Sequence, residues 1–235
     1  MKKMIILATL LAFGTAQAET NSSAVYNDST LDSGYSVALK MGTLGVGVEV
    51  SSMISENFGM RGNINYLGYN DVRDAGDLTY DTDINFLTVG ILGDYYPFGG
   101  VFRLSGGAYL NNNNVDGNYA PTAGSTFELG NGYYSSSEII NVNTVIEWEN
   151  SISPYLGMGW GNNSQGKGWG FSFDIGAMYQ GSTIITTTPD INSNVPAPIR
   201  AQILADAQRE TQTVQDDISE YKWYPVVSIG VTYSF

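Results

Sequence analysis

Six charged residues fall on the polar parity of alternating segments: Lys40, Glu49, Arg61, Asp94, Arg103 and Asp174. Three are cations and three are anions. A charge taken out of water is costly unless an opposite charge meets it, so this balance is what a sealed ionic interior would require. The same six could instead line a narrow, gateable path for small polar solutes, helped by glycines on the same parity (Gly45, Gly47, Gly107, Gly157, Gly159, Gly170 and Gly176). The residues alone leave both readings open. Other chemistry is poorly served. The chain has no histidine and no cysteine, which removes the commonest general base, the usual metal ligands and any disulfide. No metal site, cofactor or catalytic residue is predicted, and the expectation is that the chain is not an enzyme. The run Gly159–Gly168 is rich in glycine, but it lacks the spacing of a phosphate loop and lies between two strands.

The elements that would position these charges are strands. From Val227 onward, Val227, Ile229, Val231, Tyr233 and Phe235 share one face, and Ser228, Gly230, Thr232 and Ser234 the other. A period of two with one apolar face is a strand whose sides meet different surroundings. Aromatics close both ends of this face, Tyr221 with Trp223 and Tyr233 with Phe235, as in a strand crossing a bilayer between two interfacial girdles. The same alternation recurs in Gly34–Met41, Leu44–Ile54, Phe58–Asn70, Asn85–Tyr96, Val101–Leu110, Ile146–Trp160 and Gly168–Ser182. That makes eight strands. The connections after the second, fourth and sixth are short, and those after the third, fifth and seventh are long. The first is the exception, a tight turn at Gly42-Thr43 that leaves Leu44 on the apolar outer face. The predicted fold is therefore all-β: an eight-stranded antiparallel transmembrane β-barrel with a short helix in the last outer loop. That helix falls in Pro196–Glu220, where Ile199, Ile203, Ala207, Val214 and Ile218 recur at helical spacing. It would rest on the barrel rim as an ordered loop, or act as a lid or plug. A small hairpin is expected over Phe127–Ser135, inside the long loop that follows the fifth strand.

Targeting and charge agree with a membrane destination. Residues 1–18 carry two lysines, an apolar run too short to span and a terminal Ala-Gln-Ala, the pattern of a cleaved secretory signal peptide. Residues 19–33 read as a polar periplasmic lead-in, and 34–235 as the barrel. A formal net charge of −13 makes nucleic acid an unsuitable partner. Acidic outer loops (Asp71, Asp81, Asp83 and Asp116 among them) would draw cations, contact anionic lipopolysaccharide through divalent ions, or simply be solvated.

Five segments carry a family resemblance: Lys40–Glu49, Asp94–Gly107, Ser153–Asn162, Gly168–Gly176 and Lys222–Phe235. With them the chain resembles the outer-membrane β-barrels of Gram-negative bacteria that include opacity-like and OmpA-like barrels, and within these it is most similar to a branch near the CarO-type porins. The resemblance implies an outer-membrane location, with lipid, lipopolysaccharide and the barrel assembly machinery as partners. Tyr233 and Phe235 would then be the C-terminal assembly signal. It also implies a narrow porin-like channel or binder for small polar or cationic solutes such as amino acids, ornithine among them, and a link to carbapenem entry. The long loops of this chain depart from the CarO pattern. The alternative is a structural or surface-interaction barrel with a closed, salt-bridged lumen and no transport.

Overall fold

The computed structural model describes residues 34–75, 78–161 and 167–235. The predicted signal peptide and lead-in lie outside the described residues. In chain order the elements begin with β1 (Tyr35–Gly42), β2 (Gly45–Ser55), β3 (Phe58–Ala75), β4 (Leu78–Tyr95) and β5 (Phe102–Asn111). Then come β6 (Asn114–Pro121), the hairpin β7 (Thr126–Leu129) and β8 (Gly132–Ser135), and β9 (Ile139–Trp148). The chain finishes with β10 (Ile152–Trp160), β11 (Gly168–Tyr179), β12 (Thr183–Ile191), α1 (Ala197–Ile218) and β13 (Trp223–Ser234).

Eight of these strands close on themselves. The order runs β4-β3-β2-β1-β13-β11-β10-β5, and a β5–β4 pairing completes the cycle. Every pairing is antiparallel, and the ring is sealed where β1 meets β13, from Ser36 opposite Ser234 to Gly42 opposite Ser228. Closure leaves the barrel without a free edge. The alternation decides the two faces. Phe171, Ile175 and Ile229 are exposed on the outside, while Arg61, Arg103 and Asp174 are buried inside. Among the described residues no helix is long and apolar enough to cross a membrane, so any crossing falls to the strands.

The strand total exceeds eight, and the surplus forms a second structure. The upper half of β4 pairs with β6, β6 with β9, and β9 with β12, continuing the barrel wall as an open sheet beyond the rim. The expected sixth strand, Ile146–Trp160, is therefore two strands. The backbone of Glu149 and Asn150 turns away to donate to Ser182 and Gln180, so β9 ends in the outer sheet and β10 begins in the barrel. At the far edge, β12 tolerates Pro189 because an edge strand can forgo one donor.

The helix lies within the expected Pro196–Glu220 segment and spans 22 residues. Its apolar stripe packs on β12 and β7. Ile203 and Ala207 join Leu129, Tyr134, Ile139, Val142 and Ile191 in a hydrophobic core separate from the barrel. A charged residue is buried on this face: Asp206 accepts a 2.6 Å hydrogen bond from the Tyr134 hydroxyl and pairs with Arg209. Thus α1 fastens the β7–β8 hairpin to the outer sheet and uses its apolar face there.

Replacing Ile203 by alanine should cost about 2–5 kcal/mol of local stability in this head and speed amide exchange in α1 and β12 while the barrel strands keep their protection; equal loss in both would contradict separate cores. Burial, with the Asp206 carboxylate beside it, pushes the Tyr134 hydroxyl up to about 12 from an ordinary value of 10.0. The folded head therefore holds that proton longer than the unfolded chain does. Its contribution is complete below about pH 10 and fades as pH rises toward 12. Exchange in α1 should accelerate across that window, and Tyr134→Phe should remove the acceleration.

Candidate functional site

The six charges come from six different strands of the ring, and none sits opposite another in the strand register. Lys40 lies between Gly47 and Gly230, and Gly159 between Arg103 and Asp174. Asp94 faces Gly59 and Ser105. These small neighbours let each long side chain lean across the next strand instead of colliding with it. A Cβ added at Gly159 would lie 2.5 Å from an Asp174 carboxylate oxygen and 3.0 Å from the Arg103 guanidinium carbon. One added at Gly230 would lie 2.9 Å from Lys40 Cγ.

The result is one continuous network. Lys40 Nζ reaches Asp174 at 2.6 Å and Glu49 at 3.0 Å. Arg61 sits at the centre: its Nε meets Asp94 at 2.6 Å, and its Nη1 meets Glu49 at 3.1 Å and Asp174 at 3.3 Å. Arg103 Nη2 binds Asp174 at 2.6 Å, and its Nη1 donates to the Gly161 carbonyl. Ser105 links two members, accepting from Arg61 Nη2 at 3.0 Å and donating to Asp94 at 2.6 Å. Every carboxylate contacts at least two cations. Exposure is nil for Arg103, 1% for Glu49 and 2% for Arg61, so these pairs are little screened by water.

A plug covers the network on the side of the outer sheet. Leu44, Leu92, Tyr109, Tyr155, Met178 and Val226 pack together across the lumen, with Tyr224 against them. The Tyr109 and Tyr155 rings meet edge to face at 5.5 Å. Between plug and charges remains a cavity of about 20 Å³ bordered by Lys40, Asn63 and Asn65, room for about one water.

Two sequence expectations are corrected here. Most inward glycines do not widen a path. Gly157 and Gly176 make room for the Tyr155 ring, Gly107 for Leu92 and Gly47 for Asn65, so a neighbour fills the space each one leaves. Leu44 is buried in the plug and not on the outer face, because the turn is Thr43-Leu44 and folds inward. The plug was also missed as a unit. Its one sequence signal was two tyrosines, Tyr109 and Tyr155, on the parity that otherwise holds glycine, serine and charge.

No family model matches the sequence, and no curated protein matches it. Solved structures match by fold. The crystal structure of Acinetobacter baumannii CarO2 aligns with TM-score 0.55 and 18% identity, over 86% of this chain and 98% of that one. The crystal structure of Acinetobacter baumannii CarO aligns with TM-score 0.51 and 21% identity, over 85% and 97%. At these identities the likeness is one of fold: an antiparallel barrel of the CarO type.

Removing one member should leave buried charge uncompensated. Asp174→Ala strands parts of Lys40, Arg61 and Arg103 together, a loss of about 3–5 kcal/mol. Urea unfolding in detergent should show a clearly lowered midpoint, whereas Glu128→Ala in the exposed hairpin should leave it in place. An unchanged midpoint for Asp174→Ala would contradict a paired network.

Proposed function

We propose, from a fold shared with CarO, that this chain is an outer-membrane β-barrel whose lumen is sealed and whose work is done by its surface and its folded head. It needs no catalytic group. The observation that carries this is the filled lumen: an ionic layer, an apolar plug and a cavity of about 20 Å³ between them. Membrane placement is supported by the outer face. Leu39, Val46, Ile91, Leu156 and Phe171 are exposed around the barrel, far more apolar surface than a water-soluble barrel presents. Aromatic pairs mark both ends of that belt. Phe58–Tyr95, Phe102–Trp160 and Trp169–Tyr233 lie near the short turns, and Tyr179–Trp223 near the head. Trp and Tyr settle at membrane interfaces in this way. The predicted signal peptide agrees.

In this reading both barrel ends of the chain face the periplasm and the head stands outside the cell. The head is acidic, with Asp81, Asp83 and Asp190 exposed, a surface suited to divalent-bridged contact with lipopolysaccharide. Tyr233 and Phe235 end the belt at the periplasmic rim, where an assembly signal would be read. A second reading, passage of small polar solutes such as amino acids, has one observation in its favour. Lys40, Asn63 and Asn65 border a small cavity that the plug residues Leu44, Tyr109 and Val226 also line. Passage would require the plug to move.

Liposome swelling separates the two. Proteoliposomes in glycine or ornithine should swell no faster than protein-free vesicles, with wild type and with Arg103→Ala alike. Solute-dependent swelling by the wild type would overturn the sealed barrel and restore the channel.

A further inference from the structure

The lumen is closed on the side of the outer sheet by the two-residue turn between β1 and β2. The ladder between β1 and β13 ends at Gly42 opposite Ser228, yet the chain does not leave β13 there. The Thr43 N–H donates to the Val227 carbonyl at 2.9 Å, and its hydroxyl donates to the Pro225 carbonyl at 2.9 Å while accepting from the Val227 N–H at 3.1 Å. The Tyr224 hydroxyl then donates to the Thr43 carbonyl at 2.7 Å. On the other side, Gly45 takes a φ of +95°, and a Cβ there would collide with the Tyr66 carbonyl on β3. The turn is thus drawn across the mouth between β13 and β3. Leu44 points down from it into the plug at 5% exposure, and the cavity bordered by Lys40, Asn63 and Asn65 lies below. Thr43 itself is partly exposed.

We infer that the Thr43-Leu44 turn is a latched lid, held by four hydrogen bonds to β13, and that it controls access to the polar lumen. The helix α1 is engaged elsewhere, packed on β12 and β7. This rests on the sealed-lumen reading and names the part that seals it. The lid is thin, and Leu44 is the one plug residue that it carries; the rest of the plug comes from the strands. The threonine hydroxyl makes two of the four bonds, and each hydrogen bond at such a partly exposed site adds only modestly to stability. Loss of that hydroxyl should therefore free the turn to lift.

The absence of cysteine permits a clean test. Asn63→Cys places a single thiol beneath the lid, and Tyr133→Cys a reference thiol on the exposed hairpin. Each is made in the full-length protein, folded in detergent, and labelled with a small charged methanethiosulfonate. The thiol beneath the lid should react at least a hundredfold more slowly than the reference. Adding Thr43→Ala should speed it at least tenfold, whereas Tyr134→Phe, which loosens α1, should not. If the thiol of Asn63→Cys reacts as fast as the reference without Thr43→Ala, the sealed lumen itself is wrong. If it is slow and stays slow with Thr43→Ala, or if only Tyr134→Phe speeds it, the lid is elsewhere and the inference fails. Asn65→Cys, also on the cavity, supplies the same comparison should Asn63→Cys not fold.

Discussion

Three cations and three anions taken out of water inside a narrow cylinder must neutralise one another there, and the rest of the barrel is arranged around that demand. A buried ion pair gains little over a well-packed apolar pair, but a buried charge without its partner is severely destabilising. The constraint therefore acts on register. If one strand slipped by a residue, its charge would turn to the apolar face and leave two or three partners stranded. Glycine, alanine or serine beside each charge is the steric counterpart. Arg61 can touch Glu49, Asp94 and Asp174 together only because no bulky side chain fills the space between them.

The molecule solves its burial problem twice, in opposite senses. In the head, apolar side chains of α1, the hairpin and the outer sheet turn inward, with Tyr134 and Asp206 as a buried hydrogen-bonded pair among them. In the barrel, charge and hydroxyl turn inward and leucine, valine and aromatic side chains outward. A lipid solvent favours the second arrangement, as water favours the first. The plug is where the two senses meet: Leu44, Leu92 and Val226 are apolar residues turned into an otherwise polar lumen. They shield the ionic layer on the side where water would enter.

Parity made much of this legible. Alternation in β1, β2, β11 and β13 was strict enough to assign faces, and the residues it turned inward, from Lys40 to Asp174, are those the structure gathers into one network. The hairpin over Phe127–Ser135 and the helix after Pro196 were readable from turn residues and from a spacing of four and seven. The outer sheet was not. β6 begins with asparagine and contains Gly117, so its composition reads as loop, and its pairing with β4 is a long-range event that no local pattern encodes. β9 and β10 share one parity across their break, which hides the break. The inward glycines misled for a related reason: sequence shows that a side chain is missing but not which neighbour occupies the space. Leu44 followed the outward parity of Val46 and Val48, yet the turn reversed it.

Close approach alone would not give the lumen charges their hold on the barrel; they must be energetically coupled. A double-mutant cycle on Arg103 and Asp174, which meet at 2.6 Å, measures that coupling directly. Unfolding free energies in detergent for the parent, Arg103→Met, Asp174→Asn and the double variant should give an interaction energy of about 1–3 kcal/mol, with the double variant less destabilised than the two single losses summed. Simple additivity, with an interaction energy near zero, would contradict the account.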